Sequence, residues 1–252
     1  MTYSATALIL HRRDHGEWDR LYTIYTREHG KLTLIAKGTR RPKAKLASHL
    51  EPYSAVDLMI AKGRAMDRVT FARAERHGAA LATSCEHISL AAFLATSVDQ
   101  LTRDGERDVP LFDLLADAFN RVATDGAAAP RPFATGFVIR ALSILGYAPQ
   151  LDRCLECRRA ISAVECTTAV PDRGGICCIR CTSSAHNGTP FTAGDRAQLA
   201  ESSATFSCIL CSDAVTSFAI GALTAHIWQP LRTPFPGIAL TLPVAVGTLA
   251  PS

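Results

Sequence analysis

Leu21-Tyr22-Thr23-Ile24-Tyr25-Thr26-Arg27-Glu28-His29-Gly30-Lys31-Leu32-Thr33-Leu34-Ile35-Ala36 decides how the first third of the chain folds. Its first six residues are almost all β-branched or aromatic, the types that fit a pleated, half-buried surface. Arg27 to Gly30 reads as a hairpin turn, with Gly30 free to take positive φ. Lys31 to Ala36 returns as the partner strand. The chain then enters Lys37-Gly38-Thr39-Arg40-Arg41-Pro42-Lys43-Ala44-Lys45, in which five residues carry fixed positive charge. Its Gly and Pro mark a loop rather than the interior of a helix or strand. A dense basic loop held between strands suits a polyanion, with phosphate the first choice. A plain solvated loop has the same local composition, so the rest of the chain must weigh in.

Outward from the hairpin, Thr6 to Leu10 reads as a preceding strand, followed by a polar, turn-like stretch from Arg12 to Asp19. Ser54 to Ala61 and Asp67 to Ala74 are two further strands. Five short strands with one long connection match an OB-type barrel, although an SH3-like barrel fits the count nearly as well. An OB barrel would take single-stranded nucleic acid, with a basic groove along the backbone and aromatics under the bases. Trp18, Tyr22, Tyr25 and Tyr53 are the candidate stackers, but tyrosines on strands read first as interior packing. Asp14, Glu17 and Asp19, with His11, His15 and His29, lie in polar turns without an apolar pocket, and read as solvated groups rather than acid–base catalysts.

Net charge is +4 over 252 residues, and its distribution is uneven. Residues 1–80 hold 15 Lys and Arg against 8 Asp and Glu, the remainder 12 against 15, and no lysine follows Lys62. The positive field therefore belongs to the first third, where the basic loop lies. No long apolar run marks a membrane span and no basic-then-apolar start marks a signal peptide, so the expected location is cytoplasmic.

From Ala79 the texture turns helical: Ala79 to Leu101, Val109 to about Ala123, and Phe133 to Leu145 with Gly146 as a left-handed cap. Thr189-Pro190 to Thr205 reads as a short helix and Ala214 to Gln229 as a longer one ending at Pro230. The division expected is a nucleic-acid-binding barrel over residues 1–78 and a helical domain over 79–252, with a metal module at about 152–182. The class is α+β, a five-stranded OB-type β-barrel followed by helices that carry an inserted four-cysteine module. The apolar segment after Pro234 fits a final strand, a helix or a partner contact.

Cys154-Leu155-Glu156-Cys157 and Cys178-Ile179-Arg180-Cys181 are two C-x-x-C knuckles at the spacing of a four-cysteine zinc site. Two tight turns, each offering two thiolates, complete a tetrahedron. Cys177 could replace Cys178, but its spacing to Cys181 would be C-x3-C, so Cys178 is preferred. Four protein thiolates leave no open position, which makes one structural Zn2+ per chain and excludes hydrolytic chemistry. Arg153, Arg158, Arg159, Arg173 and Arg180 surround the cluster and could offset its charge. Cys208 and Cys211, in an apolar stretch, read as buried packing.

Four stretches together resemble the bacterial DNA repair and recombination protein RecO family. They are Ala5 to Leu10 with Glu17-Trp18-Asp19-Arg20-Leu21; Tyr25 to Lys31 leading into Ala36 to Lys43; Leu145 to Cys157; and Gly174 to Cys181. The resemblance covers residues 1 to about 182 and fades beyond. It implies an N-terminal OB fold, a helical domain and, in many members, a zinc module. It also implies a mediator without covalent catalysis that binds single- and double-stranded DNA and anneals complementary strands. Such proteins engage the single-strand-binding protein and, with RecR, help load RecA. Residue by residue it implies DNA contact by Lys37, Arg40, Arg41 and Lys43 and metal ligation by Cys154, Cys157, Cys178 and Cys181; Lys45 joins the first set on charge alone. An OB-plus-zinc protein acting on RNA is the alternative reading.

Overall fold

The first strand, β1 (Thr2–His15), is 14 residues long because it serves two neighbours in succession. Its first half pairs antiparallel with β4 (Ala55–Ala61), from Thr2 opposite Ala61 to Leu8 opposite Ala55. Its second half pairs with β2 (Asp19–Thr26), and a bulge between Ile9 and His11 bends the strand from one partner to the other. The computed structural model describes residues 1–76, 84–124, 129–184, 188–206 and 211–231. Cys208 and the apolar segment after Pro234 lie outside them.

β2 and β3 (Gly30–Ala36) form the expected hairpin, with Gly30 at φ +68°. β5 (Arg68–Arg76) lies against β4 and meets β3 in parallel at Ile35 opposite Arg68. The sheet thereby closes as β1-β2-β3-β5-β4, which is the OB order and removes the SH3-like alternative. Ala7, Ile9, Tyr22, Ile24, Leu34, Val56, Leu58 and Ile60 fill its interior.

The expected turn over Arg12 to Asp19 is a correction. Arg12 to His15 continue β1 and pair with Asp19 to Tyr22, leaving only residues 16–18 as the turn. Polar side chains hid the strand because this part of the hairpin projects past the barrel interior and needs no apolar face.

Three helices follow: α1 (Cys85–Leu101), α2 (Val109–Thr124) and α3 (Pro130–Ile144). The Ser84 side chain caps α1 by accepting from the Glu86 N–H, and a proline opens α3 at its first turn. Residues 79–83, read as part of the first helix, lie outside the described residues. Gly146 sits at φ +88°, with its N–H on the Ser143 carbonyl.

A second sheet, which the sequence did not announce, comes next. β6 (Gln150–Cys154), β7 (Thr167–Val170), β8 (Gly175–Cys178) and β9 (Thr189–Phe191) form it in the order β6-β8-β7-β9. Thr189 to Phe191 is therefore strand, and the helix expected there, α4 (Ala193–Ala204), starts after a capping box between Thr192 and Asp195. α5 (Asp213–Leu231) runs through Pro230 instead of stopping before it. Leu8, Leu10 and Tyr25 of the barrel pack into the same buried cluster as Leu94, Leu115, Phe137 and Phe218 of the helices, so one core spans both halves.

A candidate nucleic-acid face and a candidate metal centre

The basic loop leaves β3 at Ala36 and is anchored before its charges are displayed. The Gly38 N–H donates to Asp19 Oδ1 at 2.8 Å, and the buried Thr39 hydroxyl donates to the Ala36 carbonyl at 3.1 Å. The Arg40 N–H donates to the Trp18 carbonyl at 3.0 Å, stitching the loop to the β1–β2 turn. Further on, Leu46 and Leu50 return into the barrel core. Between these anchors Lys37, Arg40, Arg41, Lys43 and Lys45 are all exposed.

The five charges are not equivalent. Arg40 Nη1 donates to the Gly16 carbonyl at 2.9 Å and its Nε lies 3.4 Å from Asp14, which Arg20 also holds at 3.2 Å. Arg40 thus spends much of its charge on the β1–β2 turn. Arg41 lies over the Trp18 ring, 5.9 Å from its centroid. Asp14 and Asp19, read as solvated turn residues, instead hold the loop in place.

Closure of the barrel brings in cations that sequence reading passed over. The Ile35 N–H donates to the Asp67 carbonyl at 3.0 Å, which sets the β4–β5 turn beside the start of the basic loop. Lys62, Arg64 and Arg68 are exposed there. The Asp67 carboxylate accepts from Tyr3 Oη at 2.7 Å and from the Gly63 N–H at 3.0 Å, and these bonds hold it below the usual carboxylate range. One end of the barrel therefore gathers the basic loop, the β1–β2 turn and the β4–β5 turn. Among the aromatics proposed as stackers only Trp18 remains substantially exposed: Tyr22 and Tyr25 are buried, and Tyr53 packs edge-on against Phe119.

The opposite end of β3 is a joint. Lys31 Nζ donates to the Asp99 and Thr102 carbonyls at 2.6 and 2.7 Å and pairs with the Asp99 carboxylate at 3.1 Å. The Gly105 N–H returns to the Lys31 carbonyl at 2.9 Å, and Arg27 is paired with Asp113 of α2. Gly30 packs directly on the Glu106 backbone, where a side chain would not fit. Lys31 and Arg27 thus fasten barrel to helices, and the largely buried Lys31 ammonium is used up there.

The candidate metal centre is built on the small sheet. Cys154 ends β6 and Cys178 ends β8, while Cys157 and Cys181 follow on tight turns. Arg158, at φ +58°, gives the first knuckle its curl. The four sulfurs lie within 4.8 Å of one another, and Cys157 Sγ and Cys178 Sγ are 3.8 Å apart. Metal–sulfur bonds of about 2.3 Å in a tetrahedron imply sulfur–sulfur edges of about 3.8 Å, so the donor set fits zinc. Cys177 is buried beside the cluster but outside it, because consecutive strand residues point to opposite faces.

Burial works to raise the Cys178 thiol, yet hydrogen bonds from the Arg159 side chain, from Cys181 and from backbone N–H groups outweigh it and bring it down to about 6. Cys181, hydrogen-bonded to Cys178 and then penalised by burial, is pushed up to about 12. Thiols this close do not all ionise without a cation between them. The Arg159 guanidinium also pairs with Glu165, so it is held in place against the cluster. Arg173 is taken up by Glu156.

A family model described as Recombination protein O N terminal matches residues 1–76, and one described as Recombination protein O C terminal matches residues 83–218. The chain belongs to the RecO family. DNA repair protein RecO of Pelotomaculum thermopropionicum is 31% identical over 192 residues, which are 76% of this chain and 73% of that protein. The same-named protein of Bifidobacterium longum is 32% identical over 191 residues, covering 75% and 78%. That of Heliobacterium modesticaldum is 34% identical over 182 residues, covering 70% and 65%. Two of the stretches that carry the RecO resemblance thus have separate physical tasks: Tyr25 to Lys31 make the joint, and Ala36 to Lys43 make the basic display. Among the described residues no helix is long and apolar enough to cross a membrane.

Proposed function

We propose that this chain is a non-enzymatic, DNA-binding recombination mediator in DNA repair. The observation that carries the reading is the barrel end where the basic loop, the β1–β2 turn and the β4–β5 turn converge, with Lys37, Arg41, Lys43, Lys45, Lys62 and Arg64 all exposed. Such a surface makes phosphate contacts independent of sequence. Bringing two complementary strands onto one neutralising surface is enough to anneal them, with no covalent step. The names of the related proteins, all DNA repair protein RecO, point the same way. In this reading Zn2+ on Cys154, Cys157, Cys178 and Cys181 is structural. The partners are single- and double-stranded DNA, the single-strand-binding protein, RecR and, through them, RecA, in the cytoplasm at the nucleoid.

Arg40 is committed to Asp14, so about four of the loop cations meet phosphate. Those four loop contacts should contribute about −3 to the log–log slope of single-strand affinity against salt. Replacing Arg41 and Lys43 together by glutamine, two residues on which the loop anchors do not depend, should flatten that slope by about 1.4. Binding should weaken equally on all sequences, read by fluorescence anisotropy across a salt series. A folded double variant with unchanged slope and affinity refutes the loop as the DNA contact. Competition between RNA and single-stranded DNA of equal length separates this reading from an RNA-binding one.

A further inference from the structure

The outward face of β4 and β5 carries an apolar pair that the fold does not use. Met59 and Phe71 are directly opposite each other across the two strands, and they are 47% and 54% exposed. Their neighbours Leu58, Ile60, Val69 and Ala72 point into the barrel. A bulge at Thr70, whose hydroxyl donates to the Met59 carbonyl at 2.9 Å, lets Phe71 face outward together with Arg68 and Arg73. Along β5 the outward row thus reads Arg68, Phe71, Arg73 and then the exposed Glu75, and small Ser4 opposite Met59 on β1 leaves Met59 uncovered beside the ring.

We propose that Phe71, backed by Met59, is a base-stacking platform for single-stranded nucleic acid. Phe71 sits mid-row between cations, and Lys62 and Arg64 lie on the turn that joins the same two strands. That turn abuts the basic loop through the bond from Ile35 to Asp67, so one strand of nucleic acid passes from loop to platform without leaving positive surface. Arg73 is held by Asp57 at 3.2 Å, so Arg68, Lys62 and Arg64 supply the phosphate contacts and Phe71 the base contact. Two apolar side chains are too little for a protein–protein interface of standard size, and the rim of cations favours a polyanion over a second copy of this chain. Duplex DNA hides its base faces, so the platform distinguishes single strands from double. The inference rests on the nucleic-acid reading above and adds where the bases go.

The test is binding of the full chain to labelled oligothymidylate, to an abasic strand of the same length and to duplex. Phe71→Ala should weaken oligothymidylate binding on the order of tenfold. It should leave abasic-strand and duplex binding, and the salt slope, unchanged. Phe71→Trp should retain affinity and show indole quenching when oligothymidylate binds. Normal oligothymidylate affinity in Phe71→Ala, while Arg41→Gln/Lys43→Gln is weakened, overturns the platform and leaves the basic loop standing. If both variants bind normally, both readings fall. Loss of self-association in Phe71→Ala, with oligothymidylate binding intact, assigns the face to a second copy and overturns the platform as well.

Discussion

Gly30→Ala is expected to loosen the junction between barrel and helices and to lower stability by on the order of 4 kcal/mol. Two costs combine. At φ +68° an L side chain is strained, and the added Cβ would overlap the Glu106 carbonyl and approach the Arg107 nitrogen to 2.9 Å. The clash is with backbone, so no rotamer change relieves it. Relief requires the loop after α1 to withdraw, which strains the Gly105-to-Lys31 bond and the Lys31 contacts to Asp99 and Thr102. Gly105→Ala is the control: its φ is +78° but nothing lies within 4 Å of the added methyl, so only the strain of about 1–2 kcal/mol remains. Urea denaturation of the two variants should separate them clearly. Equal midpoints would show that the Glu106 contact does not constrain Gly30.

Removing one sulfur should have the second large effect, localised to the small sheet. Cys178→Ser is expected to lose the metal, one zinc per chain by native mass spectrometry in the wild type and none in the variant. Binding of structural zinc is worth on the order of 10 kcal/mol, and the sheet of three- to five-residue strands has little apolar interior with which to replace it. Amide exchange should therefore become fast around the two knuckles, Cys154 to Cys157 and Cys178 to Cys181, and stay slow in the barrel and at Ala169 and Phe191, which pack into the helical core. Cys177→Ala, one residue away, should keep the zinc and lose only about 1 kcal/mol of packing. Zinc loss in Cys177→Ala and retention in Cys178→Ser would invert the ligand assignment.

The parts of this protein legible in its sequence are those that local chemistry specifies. Strand formers on either side of a glycine turn mark β2 and β3, because alternation and turn geometry act over a few residues. Two C-x-x-C pairs mark the cysteine cluster, because each knuckle is closed by its own short turn. The polar end of β1 was missed, since its pairing with β2 needs no apolar face there. The strands β6 to β9 were missed because three to five residues are too few to show a period.

What only the tertiary structure decided is which charges remain available. Arg40 and Lys37 look alike in sequence, yet Asp14 holds one and leaves the other to solvent. Lys31 reads as the exposed start of a strand, yet its ammonium is hydrogen-bonded to a carbonyl 71 residues away. Phe71 reads as an ordinary strand aromatic until the Thr70 bulge turns it outward beside Arg68. In each case the deciding partner is remote in the chain, and a contact made by closing a barrel or docking a helix leaves no periodic trace in the residues that make it.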